Sequence, residues 1–123
     1  MIVGIGLDLC PIARVMAFAE RWGERGEEKL FTEAERTYCH GKAIPAQHFA
    51  ARFAAKEAAL KALGVPPGLR WHELEIASAR GAPRLLFHGT AAVAAATLGV
   101  VRTHLTITHA AELAVAVVVL ESA

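Results

Sequence analysis

A chain of 123 residues with a net charge of +1 suits one domain, residues 1–123, and excludes a protein that traps nucleic acid by bulk positive charge. Hydrophobic residues make up 54% of it and charged ones 20%, which predicts either an alanine-rich core or a buried subunit interface. The longest apolar run, Leu113 to Leu120, is far short of the ~20 residues that cross a bilayer, and the first apolar run has no basic leader and contains Asp8, so a soluble cytoplasmic protein with no membrane partner is expected. Cys10 and Cys39 lack C-x-x-C spacing and read as reduced thiols rather than zinc ligands or a disulfide framework.

The chain opens with a strand, Met1 to Leu9. Ile5, Leu7 and Leu9 share one face, and Asp8 lies on the other near the strand end. Gly4 and Gly6 are not followed by the rest of a dinucleotide fingerprint, so they predict close approach of another backbone. Pro11 to Arg21 reads as a helix with Ile12, Val15, Met16 and Ala19 inward, fraying at Gly23 and Gly26. Arg14, Phe18, Arg21 and Arg25 form a second stripe if the helix persists. That stripe is either a solvated basic face or a dock for an acidic partner with Phe18 as its apolar anchor.

Thr32 and Glu35 form a capping box that starts a short helix to about His40, with Gly41 as a left-handed cap. A linker from Gly41 to Ala46 follows, with His48 in the loop as either a site residue or only a surface histidine. The central helix runs from Phe49 to Gly64, where Pro66-Pro67-Gly68 stops it. The second half holds a half-exposed strand at Glu73–Ile76, a turn at Arg80–Pro83, and a return strand at Arg84–His88. A helix at Thr90–Leu98, a strand at Thr103–Thr108, a turn at His109–Glu112 and a last strand at Leu113–Leu120 complete it. The last run reads as buried on both faces. Strand, three helices, two strands, helix and two strands predict an α+β fold, an antiparallel sheet packed against a long central helix.

That helix poses the chemical question. Phe49, Phe53, Leu60, Leu63 and seven alanines make it apolar on most sides, yet it carries Arg52, Lys56, Glu57 and Lys61. Charges on a buried helix must be paired, hold an ion or line a cleft. One answer is an ordinary salt bridge between Glu57 and Lys61, four residues apart. The other is a metal site: were the fold to bring Asp8 to Glu57, two hard oxygen donors would suit Mg2+, with Lys61 one turn on to reach a phosphate.

The opening Gly4-Ile5-Gly6-Leu7-Asp8 and the helix Phe53-Ala54-Ala55-Lys56-Glu57-Ala58-Ala59-Leu60-Lys61-Ala62 resemble the two signature motifs of the 4′-phosphopantetheinyl transferase superfamily. They are most similar to its short, single-domain holo-acyl-carrier-protein synthase group, and the resemblance runs over nearly the whole chain. It implies the 4′-phosphopantetheinyl transferase fold and transfer of the 4′-phosphopantetheine arm of coenzyme A to a serine of apo acyl carrier protein in fatty acid biosynthesis. It implies a Mg2+ cofactor held by Asp8 and Glu57, with Lys61 on phosphate and Glu57, directly or through a metal-bound water, taking the serine proton. Lys56 is implied to orient Glu57 or bind phosphate, and Arg52 to contact the nucleotide. Thr108 and His109 stand where the family has Ser-His at a coenzyme contact, the threonine keeping the hydroxyl and adding a methyl. Arg14, Phe18, Arg21 and Arg25 match the helix that docks the carrier, and a homotrimer with active sites between subunits is implied. The alternatives are a non-catalytic module for coenzyme A or the carrier, or a basic-helix nucleic-acid binder. The near-neutral charge weighs against the latter.

Overall fold

The computed structural model describes residues 1–78 and 81–123, so Arg80 of the expected turn lies outside the described residues. In chain order the elements are β1 (Ile2–Pro11), α1 (Ile12–Leu30), α2 (Glu33–His40), α3 (Pro45–Ala62), β2 (Leu74–Ala77), β3 (Arg84–Phe87), α4 (Gly89–Thr97), β4 (Val100–Ala110) and β5 (Leu113–Ser122). The order is the one expected from sequence. The strands form an antiparallel sheet in the order β1-β5-β4 and a separate β2-β3 hairpin, giving an α+β fold. No helix among the described residues is long and apolar enough to cross a membrane.

The core is helix α3 laid on β1 and β5. Ala50, Ala51, Ala54, Ala55, Ala58, Ala59 and Ala62 are all buried. The strand glycines meet them backbone to backbone. A Cβ at Gly6 would lie 1.7 Å from the Ala58 carbonyl oxygen, and one at Gly4 2.1 Å from that of Ala62. No side chain fits there, so glycine is required by contact rather than by backbone angle. Because strand residues alternate, the same face carries Asp8 and Cys10 toward α3.

The other face of the sheet is open. Ile5, Leu7 and Leu9 are 63%, 57% and 54% exposed. Beside them Val115, Val117 and Val119 are only half-buried, whereas Ala114, Ala116, Val118 and Leu120 are fully buried. Burial of the last strand on both faces is therefore met on the helix side alone, since no element among the described residues covers the outer side.

Several boundaries differ from the sequence reading, each for a local reason. Helix α1 continues past Arg21 to Leu30, broken only at Gly23, where φ is 58° and ψ −148°. Gly26 does not fray it: a Cβ there would meet Trp22 Cβ at 2.6 Å and Phe18 at 2.7 Å. Helix α3 starts at Pro45, whose missing N–H costs nothing in the first turn. Gln47 and His48 are thus helix residues, not loop residues. Gly41 has φ −78° and is no left-handed cap. That role falls to Gly64, at φ 82°. There the Val65 N–H donates to Leu60 O at 2.9 Å and the Gly64 N–H to Lys61 O at 3.0 Å, a Schellman closure. Glu73, expected in the strand, instead ends a 3-10 turn at Trp71–Glu73, and it accepts from Thr90 and Ala91 at the start of α4. Strand β4 runs through His109 to Ala110, leaving only Ala111 and Glu112 in the turn.

Candidate active site

The close contact of β1 with α3 sets Asp8 against Glu57. Both are half-buried. Burial pushes the Glu57 carboxyl up from its ordinary value and the negative charge of Asp8 adds to this, while Lys61 and Arg14 oppose it. Lys61 reaches across to the strand: its Nζ donates to Asp8 Oδ1 at 3.0 Å and to Leu7 O at 3.0 Å. The simple helix bridge from Lys61 to Glu57 is not the arrangement found among the described residues. Two carboxylates, an ammonium and a guanidinium thus share one cluster. Two crowded hard oxygen donors fit a magnesium ion, which keeps several waters and takes phosphate oxygens as its remaining ligands. Among the described residues no third histidine, cysteine or acidic side chain completes an all-protein cage.

Lys56 is not in this cluster, which corrects its expected role toward Glu57 or phosphate. Its side chain is 0% exposed, with Nζ 2.7 Å from Glu35 Oε1 and 2.9 Å from Trp71 O. Glu35 in turn accepts from the Thr32 N–H at 2.8 Å and the Ile76 N–H at 2.9 Å. One buried ion pair therefore ties α2, α3, β2 and the turn at Trp71 together. Burial lowers the Lys56 pKa, and Glu35 opposes the shift.

Arg52 lies one turn earlier, 5% exposed, over the Tyr38 ring at 4.1 Å with one nitrogen donating to Ser78. Its buried Nε has no hydrogen-bond partner among the described residues. Around it sit Lys42, Tyr38 and Gln47, which the sequence reading did not single out, together with His48 and His109, which it did. Lys42 Nζ is 4.5 Å from the Tyr38 ring centre, and His48 packs edge-on to both Tyr38 and His109 at 5.9 Å. The Gln47 amide donates to His109 Nε2 at 3.2 Å. Burial lowers the His48 pKa, and the positive charges of Arg52, His109 and Lys42 lower it further. The signal for His48 was the Pro45 helix start, which puts it one turn before Arg52. Thr108 is split from this group. As consecutive strand residues, His109 faces α3 with Ala114 while Thr108 faces outward beside Val115.

On α1, Arg14, Arg21 and Arg25 are exposed and Phe18 is half-buried. Phe18 and Arg25 line an open groove with Trp22, Gly26 and Lys29. Arg21 stacks on Trp22 at 5.1 Å. Trp22 and Lys29 were legible at helical spacing from Phe18 and Arg25, and were lost by ending the helix at Arg21. Between α1 and α3, an apolar cavity of about 200 Å³ is lined by Cys10, Arg14, Phe18, Phe31, Phe53 and Trp71, among others.

This arrangement has close counterparts. Residues 4–118 match the family model of the 4′-phosphopantetheinyl transferase superfamily. A holo-[acyl-carrier-protein] synthase of Anaeromyxobacter dehalogenans is 48% identical over 126 residues, covering 100% of this chain and 98% of that protein. The chain belongs to the holo-[acyl-carrier-protein] synthase group of this superfamily. Two solved members share the fold. The synthase of Neisseria meningitidis superposes with a TM-score of 0.86 at 28% identity, covering 99% of this chain and 100% of that one. The synthase of Bacillus anthracis, solved with coenzyme A (3′,5′-ADP), gives 0.79 at 34% identity, covering 100% and 99%. The family match spans β1 to β5, and so includes Asp8, Glu57, Lys61 and the patch around Tyr38.

Proposed function

We propose that this chain transfers the 4′-phosphopantetheine arm of coenzyme A to a serine hydroxyl of an apo acyl carrier protein, releasing adenosine 3′,5′-bisphosphate. The observation that carries this reading is the meeting of Asp8, Glu57 and Lys61 on the fold of the holo-[acyl-carrier-protein] synthases. In the reaction the serine oxygen bonds to the pantetheine-side phosphorus and the pyrophosphate P–O bond breaks. Such transfers need positioning and charge neutralisation more than covalent help.

Asp8 and Glu57 would hold Mg2+, which supplies neutralisation of the pyrophosphate charge. Glu57, whose carboxyl is pushed up, is suited to take the serine proton. Lys61 is suited to meet the charge that builds on the leaving phosphate. Arg52 and Lys42 gather positive charge around Tyr38, with the rings of His48 and His109 packed beside them, which suits the phosphorylated nucleotide end of coenzyme A. The apolar cavity between α1 and α3 gives the uncharged arm a place beside the carboxylates.

Arg14, Phe18, Arg21 and Arg25, joined by Trp22 and Lys29, would receive the acidic carrier, charge setting encounter and orientation. The open apolar face of Ile5, Leu7 and Leu9 suits a homotrimer, in which Thr108 would reach a neighbouring copy's site. With both thiols free, the protein suits the cytoplasm, where it would serve fatty acid biosynthesis. Incubation with coenzyme A, Mg2+ and an apo carrier should add one phosphopantetheine to the carrier by intact mass. No added mass under any divalent metal overturns the proposal.

A further inference from the structure

We infer that Lys61 is the resident counter-ion of the two-carboxylate site, and that a divalent cation reaches Asp8 only as the Lys61 ammonium leaves it. This rests on the magnesium reading above. The ammonium is doubly held, 3.0 Å from Asp8 Oδ1 and 3.0 Å from the main-chain oxygen of Leu7. It therefore occupies the side of Asp8 that faces the cluster. A cation bound to the same carboxylate at ~2 Å would stand within contact range of that nitrogen, and two like charges there repel strongly.

The two partners differ in freedom. The Lys61 side chain is 48% exposed and that of Asp8 only 18%. The lysine is the one that can move, and Lys56 shows the contrast, with both members of its pair at 0%. Glu57 gives Lys61 reason to stay until a replacement arrives. Without the ammonium, Asp8 and the half-buried Glu57 face each other as like charges. A divalent cation replaces that charge and doubles it. The released lysine, one turn beyond Glu57, is then free for a phosphate oxygen. Cation loading and anion binding are thereby coupled through one side chain, and the coupling is reciprocal.

Mn2+ binding to the protein alone, followed by electron paramagnetic resonance without coenzyme A, tests this. Lys61→Met should bind Mn2+ about tenfold tighter or more than the wild type, the effect of removing one positive charge beside a divalent ion. Asp8→Asn should bind it far more weakly. In the wild type, saturating Mg2+ should raise the acylation rate of the Lys61 amine several-fold, read by peptide mass, while Lys29 and Lys42 stay unchanged. Equal or weaker Mn2+ binding by Lys61→Met, or acylation of Lys61 indifferent to Mg2+, overturns the inference and leaves the magnesium reading standing. Mn2+ binding by neither the wild type nor Lys61→Met overturns both.

Discussion

Glu57 is held in a place that favours its proton. Burial first and Asp8 second raise its folded-state pKa above that of the unfolded chain. The native state then gains from protonation. That gain is complete below the ordinary carboxylate range and is lost as pH rises through the folded value. Glutamine cannot ionise, so Glu57→Gln should melt at a higher temperature than the wild type at pH 7, with the gap closing as the pH falls to about 4. Its transfer rate should drop by ~100-fold or more. Wild-type turnover by this variant would reduce Glu57 to a packing residue. Lys56 obeys different rules. Lys56→Met strands the buried Glu35 carboxylate and should cost ~3–5 kcal/mol in urea unfolding. Adding Glu35→Gln should recover most of that loss, because the uncompensated charge disappears. A double variant as unstable as the single one would mean that packing, not charge, dominates.

At the scale of elements, the site is a consequence of how closely β1 can approach α3. Gly6→Ala puts a methyl 1.7 Å from the Ala58 carbonyl and must push strand and helix apart. It should cost ~3 kcal/mol or more and abolish transfer, since Asp8 shifts away from Glu57. Gly64→Ala strains only the left-handed closure of α3, at a cost of ~1 kcal/mol. It should leave turnover near normal, because Gly64 lies about two turns past Glu57. Equal loss of activity in both variants would separate the site from the glycine contact. Both glycines were legible in sequence as punctuation, one as close approach and one as a helix stop. The length of α1 was not. Gly23 reads as an end, yet it is a kink, and the helix resumes because Phe18 and Trp22 pack over Gly26.

For the whole molecule, the unanswered surface is the outer face of the β1-β5-β4 sheet. Ile5→Glu places a charge among Ile5, Leu7 and Leu9 without touching the helix side. Sedimentation should then show monomer in place of the proposed trimer, with the Michaelis constant for coenzyme A raised at least tenfold. A trimer that persists would mean assembly through another surface. On the opposite side, Arg21→Glu and Arg25→Glu should raise the Michaelis constant for the carrier in a salt-dependent way and leave that for coenzyme A nearly unchanged. Equal loss for both substrates would remove α1 from docking.

The order of elements, the face alternation of β1, the capping box at Thr32 and the candidates Asp8, Glu57 and Lys61 follow from sequence alone. Each is set by local chemistry: strand parity, helical spacing, and the few residue types that can bind phosphate or metal. Which charges meet is not local. Lys61 chose Asp8 over Glu57, Lys56 turned inward to Glu35, and His48 joined Arg52 and His109. The first of those choices depends on backbone separations set by Gly4 and Gly6 against Ala62 and Ala58, some fifty residues away along the chain, and the others on how α2 and β4 pack against α3. Spacing within one helix says which side chains are neighbours, and only packing between elements decides which of them share a charge.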